Sequence, residues 1–276
     1  MLIKLANRHL LVAQALSLKI YSTKTSLLVR TIKVPTSDSA LTTPEHVVSY
    51  FIDPKSDDRA YIATSNSQLY LYNRTTGERV GNPCKLALGP TRHVCACPDQ
   101  KLESPESEVV YAVSQLLDES YSVWRIALSG HKVSGKVVIY STRNNITRLR
   151  VADAGRAVCL ISAREIVVVN GEGAEWHAPR VYKMANPLTC MDIQDTAMGK
   201  KSKKNGGQRR GDIVVGDNVG ALYVLHDVIK YSKVEADHTP RKLHWHRMAV
   251  SSVKFALDGT SGPFNVPSLT VTRSIF

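Results

Sequence analysis

Six basic side chains within eleven positions are the residues of this sequence best suited to bind a charged ligand. Lys200, Lys201, Lys203 and Lys204 are followed, after four uncharged residues, by Arg209 and Arg210. Two basic clusters with a short spacer are typical of a bipartite nuclear import signal, and the same cations can neutralise the phosphates of a nucleic acid. The alternative is that residues 199–211 form a solvated loop without a binding function.

A second candidate is the segment His244-Trp245-His246. On a β-strand, residues two apart face the same side, so the two histidines would present two imidazoles as a metal site requires. His226 and His238 fall in predicted loops, and no third or fourth ligand stands at a suitable spacing. We therefore predict that a histidine of this segment makes a structural hydrogen bond to a neighbouring turn, and we predict no metal site.

Other residue patterns do not predict catalysis. Residues 194–202 look superficially like a phosphate-binding loop, but the first glycine is missing and Lys201 precedes Ser202. Gly171-Glu172-Gly173 lacks the third glycine of a dinucleotide site and places a carboxylate where a pyrophosphate would lie. No serine stands in the G-x-S-x-G pattern of a hydrolase. We predict a protein that is not an enzyme and has no cofactor or small-molecule substrate.

Composition and charge favour a folded protein with a polyanionic partner. Of 276 residues, 43% are hydrophobic, and 36 Lys and Arg against 24 Asp and Glu give a net charge of +12. This excess of positive charge points first to nucleic acid and then to acidic protein surfaces as partners.

Five scattered cysteines without C-x-x-C spacing indicate reduced thiols. The longest uncharged apolar run, residues 10–18, is shorter than the ~20 residues of a membrane helix.

Five short segments repeat one pattern: alternating apolar residues, the last of them large, and then a polar residue. They are Leu18-Lys-Ile-Tyr21-Ser22, Leu69-Tyr-Leu-Tyr72-Asn73, Tyr121-Ser-Val-Trp124-Arg125, Ile166-Val-Val-Val169-Asn170 and Leu222-Tyr-Val-Leu225-His226. Their last apolar residues are 51, 52, 45 and 56 positions apart. A standard four-stranded propeller blade has a repeat of ~40–45 residues, so the spacing fits blades with enlarged loops.

Further strands are predicted around these segments. First strands are predicted at residues 47–52, 92–96, 146–151 and 188–193, second strands at 60–64, 109–113, 158–161 and 212–215, and an outer strand at 137–140. Val250, Val253 and Phe255, followed by Asp258-Gly259, are typical of the innermost strand of a WD-repeat blade. A sandwich would also contain many short strands, but a fixed four-strand repeat favours a propeller.

The predicted fold is therefore all-β: an incomplete WD-repeat β-propeller with about five four-stranded blades and the first strand of a sixth. The blades are expected at about residues 1–34, 46–86, 91–142, 146–183 and 187–246, with the sixth starting at 249–260, the basic loop at 199–211 and an irregular tail at 261–276. Such a set of blades cannot close a ring, so we expect a shortened form of a longer protein.

With these residues in view, the chain resembles a particular WD-repeat family: the N-terminal propeller of the nucleolar WD-repeat protein of the UtpA (t-UTP) subcomplex of the small-subunit processome. The resemblance rests on Lys19-Ile-Tyr-Ser-Thr23, on Gly216-Asp-Asn-Val-Gly-Ala-Leu-Tyr223, and above all on Leu243-His-Trp-His246 leading to Val253-Lys-Phe255. It extends to about Thr260. The chain departs from the general WD pattern because no blade ends in Trp-Asp and Val219 stands where an Asp is expected before the third strand.

The resemblance implies a scaffold in the nucleolus that assembles with other propeller subunits on pre-ribosomal RNA. It also implies support of 18S rRNA maturation and of transcription by RNA polymerase I. One alternative is a WD-repeat adaptor of another intracellular complex. Another is an organellar protein, because six basic residues and no acidic residue precede Asp38, as in a transit peptide.

Overall fold

The repeated apolar pattern produces a succession of antiparallel sheets. The computed structural model describes residues 2–6, 9–36, 44–53, 56–96, 107–172, 175–194, 211–229, 240–244, 247–255 and 269–273. The chain divides into two compact units, Met1–Arg143 and Asn144–Phe276.

The first unit contains three four-stranded sheets. The first sheet has the order β1 (Leu2–Ala6), β2 (His9–Gln14), β3 (Ser17–Ser22) and β4 (Leu28–Lys33). The second has β5 (Val47–Asp53), β6 (Ser56–Thr64), β7 (Gln68–Asn73) and β8 (Cys84–Lys85). The third has β9 (Thr91–Ala96), β10 (Ser107–Gln115), β11 (Tyr121–Ser129) and β12 (Lys132–Thr142).

The second unit begins with a five-stranded sheet of β13 (Ile146–Ala152), β14 (Ala157–Ser162), β15 (Glu165–Glu172), β16 (Glu175–Trp176) and β17 (Arg180–Lys183). Next comes a sheet of β18 (Leu188–Gln194), β19 (Asp212–Asp217), β20 (Ala221–Leu225) and β21 (Arg241–His244). A two-stranded sheet of β22 (Val250–Phe255) and β23 (Leu269–Arg273) follows.

The five repeated segments lie at the third strand of successive sheets. They coincide with β3, β7, β11, β15 and β20, although His226 falls just beyond β20. The predicted first and second strands also lie inside observed strands, and residues 137–140 belong to the edge strand β12. A nearly all-β fold with several four-stranded antiparallel sheets is thus confirmed.

The prediction for the end of the chain was wrong. Residues 261–276 were expected to be irregular, yet β23 pairs with β22 from Phe255↔Leu269 to Val250↔Arg273. Residues 269–273, Leu-Thr-Val-Thr-Arg, alternate apolar and polar side chains and are mostly β-branched, which suits a strand. The Gly and Pro residues before them obscured this pattern in the sequence.

Within each unit, neighbouring sheets pack face to face and bury their middle strands on both sides. Every residue of β14, β19 and β20 is buried. In the first unit, one apolar cluster joins the first and second sheets through side chains such as Leu18 and Tyr70, and another joins the second and third through Leu71 and Ile126. Burial on both faces explains why these strands read as continuous apolar runs.

One backbone hydrogen bond recurs between successive sheets. The N–H of the residue that opens a sheet donates to a carbonyl in the turn between the second and third strands of the preceding sheet. The donor–acceptor pairs are Val47 to Ala15 at 2.8 Å, Thr91 to Ser65 at 2.9 Å and Leu188 to Ala163 at 2.9 Å. The repeated bond holds the start of each of these sheets next to the turn between the second and third strands of the preceding sheet.

Asp217 is a buried carboxylate at the turn before the third strand of the fifth sheet. The residue is fully buried at the end of β19, where its Oδ1 accepts from the N–H groups of Val219 (3.0 Å) and Ala221 (2.7 Å). Its Oδ2 accepts from Asn186 Nδ2 (3.0 Å) and the Tyr223 hydroxyl (3.3 Å). This carboxylate lies two residues before Val219 and holds the turn between β19 and β20.

A chain of four titratable side chains joins the second and third sheets of the first unit. Arg59 Nη1 lies 3.3 Å from His131 Nε2, and His131 Nδ1 lies 2.8 Å from the hydroxyl of Tyr61, which donates to Glu108 Oε2 at 2.6 Å. A guanidinium only donates, so Nε2 is the acceptor and Nδ1 carries the proton. Burial, together with the Glu108 carboxylate, raises the pKa of Tyr61 well above its ordinary value.

We predict that Tyr61 makes the stability of the protein fall in alkali. Because its folded pKa is raised, the unfolded state alone ionises above about pH 10, so the stabilisation is complete below that pH and is lost as the pH rises. One such tyrosine adds about 1.4 kcal/mol per pH unit to the decline. Urea unfolding between pH 8 and pH 11.5 should show a shallower decline for Tyr61→Phe.

At pH 8, Tyr61→Phe should also cost about 1–3 kcal/mol, because the Glu108 carboxylate loses a buried donor. Tyr140→Phe removes a hydroxyl from the half-buried edge strand β12 and serves as the control for that loss. An equally steep alkaline decline in wild type and Tyr61→Phe would contradict the assignment.

Candidate nucleic-acid interface

The basic segment lies between two paired strands of the fifth sheet. Lys200, Lys201, Lys203, Lys204, Arg209 and Arg210 lie outside the described residues. The chain leaves β18 at Gln194 and enters β19 at Asp212, and these two residues are register partners in the antiparallel pair. The segment therefore starts and ends at adjoining positions at one end of the sheet.

Gly211 fastens the end of the segment to the protein. Its carbonyl accepts from the N–H of Ile229 at 3.2 Å. Both residues are buried, and a Cβ added at Gly211 would lie 2.6 Å from the Cβ of Ile229. Only glycine allows this close approach, so the last residue of the predicted basic loop has a structural role.

The attachment extends to the neighbouring sheet through Asn170 on β15. Its Nδ2 donates to the carbonyl of Ile229 at 2.6 Å, and its Oδ1 accepts from Arg180 Nη2 at 2.7 Å. The same guanidinium nitrogen donates to the carbonyl of Val228. Two sheets thus hold the 228–229 backbone against Gly211.

Two carboxylates near this attachment have polar partners. The buried carboxylate of Asp212 lies 3.0 Å from His226 Nδ1 and accepts from the N–H of Asp227 at 3.0 Å. At the turn that precedes β14, Asp153 forms an ion pair with Arg156 at 2.9 Å.

The structure describes only part of the predicted blade-junction motif, His244-Trp245-His246. His244 ends β21 and pairs through its backbone with Ala221. The side chain of His244 and all of Trp245 and His246 lie outside the described residues. The predicted hydrogen bond from this motif to a neighbouring turn stays a prediction.

Metal-binding and membrane-spanning features can be assessed only for the described part of the chain. No group of three or more His, Cys, Asp or Glu side chains there is placed to hold a metal ion. No helix among those residues is long and apolar enough to cross a membrane. Cys84, Cys95, Cys159 and Cys190 are thiols that form no disulfide among the described residues, and burial raises the pKa of Cys84 and Cys190.

Sequence reasoning found the basic segment but missed its anchor. Asn170, Arg180, Asp212 and Ile229 are separated by as many as 59 positions, and no motif links them. The one local signal was Gly211, which directly precedes a predicted strand and follows a run of cations.

Comparison with known proteins supports the fold. No family model matches the chain, and no curated protein matches its sequence. Among similar solved structures is BBS1N in complex with ARL6DN, soaked with lead, with a TM-score of 0.59 and 12% identity over 95% of this chain and 71% of that chain. The same complex soaked with mercury gives a TM-score of 0.58 and 11% identity, with the same coverage.

The four-stranded sheets and this likeness define a protein of the β-propeller fold class. At 12% identity the likeness to BBS1N concerns the fold alone.

We predict that any side chain at position 211 destabilises the protein, because Gly211 is in close contact with Ile229. Gly211→Ala should destabilise the protein by about 1–3 kcal/mol, because the new methyl group overlaps Ile229. Ile229→Ala should cost about 2–5 kcal/mol by opening a cavity. The double variant should be less destabilised than the sum by at least about 1 kcal/mol, because the smaller side chain makes room for the methyl group.

Urea unfolding of the three variants gives this coupling directly. Gly135→Ala is the matched control, since a Cβ at Gly135 meets nothing within 4 Å. Strict additivity of the two substitutions would show that Gly211 and Ile229 are not held together.

Proposed function

We propose that the chain is a non-enzymatic scaffold of nucleolar ribosome biogenesis that contacts pre-ribosomal RNA through its basic segment. In this proposal it is the WD-repeat propeller subunit of the UtpA subcomplex and joins the other processome propellers in the nucleolus. It then supports 18S rRNA maturation and transcription by RNA polymerase I. The proposal takes the first five sheets as five blades and the two-stranded sheet as the start of a sixth.

Two hydrogen-bonded groups support the WD-repeat assignment. In the third sheet, Trp124 Nε1 on the third strand donates to Ser114 Oγ on the second strand at 2.8 Å. In the fifth sheet, Asp217 accepts hydrogen bonds from Asn186 and Tyr223 beside the turn between the second and third strands. A blade-stabilising network of this kind ties the turn, the third strand and the connection between sheets together.

The RNA proposal rests on the attachment of both ends of the basic segment to one end of the fifth sheet. Six cations within eleven positions are bounded by the register partners Gln194 and Asp212 and end at the buried Gly211. Because both ends of the segment are held at one end of the sheet, its six cations are available to one stretch of a polyanion. Phosphate contacts of this type release counterions and make affinity depend steeply on salt.

We predict that the six cations account for most of the salt dependence of RNA binding. Replacing Lys200, Lys201, Lys203, Lys204, Arg209 and Arg210 with alanine lowers the net charge from +12 to +6. The slope of log affinity against log salt for a fluorescein-labelled single-stranded RNA should fall by up to about 4, since each phosphate contact contributes about 0.7. Fluorescence anisotropy at 50–300 mM salt measures it.

A matched control separates the segment from net charge alone. Alanine at six exposed cations elsewhere, Lys24, Lys33, Lys85, Lys132, Arg143 and Lys183, lowers the net charge by the same amount. The control should keep a slope close to that of wild type. If both sets of substitutions lower the slope equally, RNA binding is a property of overall charge and the segment is a solvated loop.

A second candidate function is that of a protein adaptor in another intracellular complex. It is favoured by the similar structure, in which BBS1N is in complex with another protein, ARL6DN. In this case the basic segment would act only in nuclear import or have no role.

Affinity purification of the tagged chain from cells, with protein and RNA identified together, should distinguish the two functions. We expect processome subunits and pre-ribosomal RNA to be recovered, and less of both with the six-alanine variant. Recovery of a different complex without pre-ribosomal RNA would refute the ribosome-biogenesis proposal and assign the chain to the adaptor class.

A further inference from the structure

The first strand of the fourth sheet, β13, carries two arginines that form no ion pair with a described carboxylate. Arg148 and Arg150 stand two positions apart, and Arg148 is exposed whereas Arg150 is half-buried. Residues two apart on a strand point to the same side and lie about 6.6–6.8 Å from each other. In the sheet order β13 stands at the end, beside β14. The two arginines therefore lie side by side along an edge strand.

The register with β14 shows the side to which these arginines project. Arg148 is opposite Ile161 and Arg150 is opposite Cys159, and residues that face each other in an antiparallel pair project to the same face. Ile161 and Cys159 belong to the apolar cluster that the fourth sheet shares with the fifth. Burial raises the pKa of the Cys190 thiol on β18, and the charge of Arg148 partly opposes this rise. The arginines thus project from the edge where β18 of the fifth sheet packs.

Each guanidinium is held by a hydrogen bond to its own strand. Arg148 Nη1 donates to the carbonyl of Thr147 at 2.8 Å, and Arg150 Nη1 donates to the carbonyl of Leu149 at 3.0 Å. These bonds shield carbonyls of an edge strand, which is a structural role. A guanidinium has five N–H donors in a planar fork, so one such bond leaves several donors for a ligand. It also limits the movement of the group and so lowers the entropy lost on binding.

The carboxylate of Asp192 on the neighbouring strand β18 is directed away from these arginines. It accepts from Lys254 Nζ at 3.0 Å and from the N–H of Phe255 at 2.9 Å, and both of these residues belong to β22. Asp192 therefore faces the two-stranded sheet and is neutralised there by Lys254. Its charge does not offset that of Arg148 and Arg150 through an ion pair.

The carboxylates near the two ends of β13 also have other partners. Asp153, which follows β13, forms an ion pair with Arg156 at 2.9 Å. Glu165 on β15 accepts from Asn144 Nδ2, just before β13, at 3.2 Å. The cation Arg164 is exposed directly beside Glu165. The edge along β13 is therefore positive even when its acidic neighbours are counted.

The spacing and burial of the two arginines select the class of ligand. A guanidinium binds a carboxylate or a phosphate through two parallel hydrogen bonds. In an extended peptide, alternate side chains have the same spacing as Arg148 and Arg150, so two acidic side chains can each meet one arginine. A glutamate carboxylate stands on a narrow stem, whereas an RNA phosphate carries a sugar on each side. The half-buried Arg150 beside a packed sheet therefore favours the peptide.

We propose that Arg148 and Arg150 bind an extended acidic segment of a partner protein, with glutamates at alternate positions, along the edge of β13. Each arginine forms a bidentate pair with one carboxylate of the segment. This arginine pair does not include residues 199–211, so its binding of a peptide is separate from RNA binding by the basic segment.

The test is a fluorescence anisotropy titration with a fluorescein-labelled peptide in which five glutamates alternate with five threonines. The protein is the full chain with alanine at the six cations of the basic segment, so the peptide cannot bind there. A control peptide has the same composition, but no two of its glutamates are two positions apart. We expect the alternating peptide to bind about threefold or more tightly than the control, because it alone matches the spacing on β13.

Substitutions in the same protein test the two arginines. Arg148→Ala together with Arg150→Ala should weaken binding of the alternating peptide about tenfold or more. Alanine at Arg164 and Lys183, two exposed cations of the same sheet, removes equal charge and should change the affinity by less than about twofold. Lysine at both positions 148 and 150 keeps the charge without the planar fork, so it should cause an intermediate loss. This lysine variant decides the outcome if the alanine pair lowers the unfolding temperature.

Three results would overturn the proposal. Equal affinity for the two peptides, or equal losses with the two pairs of alanine substitutions, would show that binding follows overall charge. A fluorescein-labelled ten-nucleotide RNA whose affinity depends on Arg148 and Arg150 more than that of the peptide would assign these arginines to nucleic acid.

Discussion

The contact of each sheet with the next is the constraint on which the rest of the structure depends. Within a unit, apolar side chains from facing sheets form shared clusters, and the N–H that opens one sheet bonds to the turn of the sheet before it. A single four-stranded sheet cannot bury both of its faces. Repetition within a unit solves this problem, because each sheet supplies the cover for its neighbour.

Because of this packing, few side chains of the middle strands are exposed for binding. The middle strands are buried on both faces, so a polar side chain there must find partners inside the fold. Asp217 and Asp212 do so through backbone N–H groups, Tyr223 and His226. Binding groups are therefore left to the ends of the sheets, where the connections meet water.

The basic segment is such a connection, because it begins and ends at one end of a sheet. The basic segment joins two strands of the second unit and depends on the Gly211–Ile229 contact for its attachment.

The sequence by itself determined the all-β class, the third strands of five sheets and the basic segment, because period-two alternation and runs of charge are local properties. It predicted neither β23, hidden behind glycine and proline, nor the carboxylate of Asp217 at the turn. Only the tertiary structure brought Asn170 to Ile229, 59 positions away, and Gly89 to the β10–β11 turn. Contacts between sheets depend on which faces meet, and this information is spread over the whole chain instead of residing in any one segment.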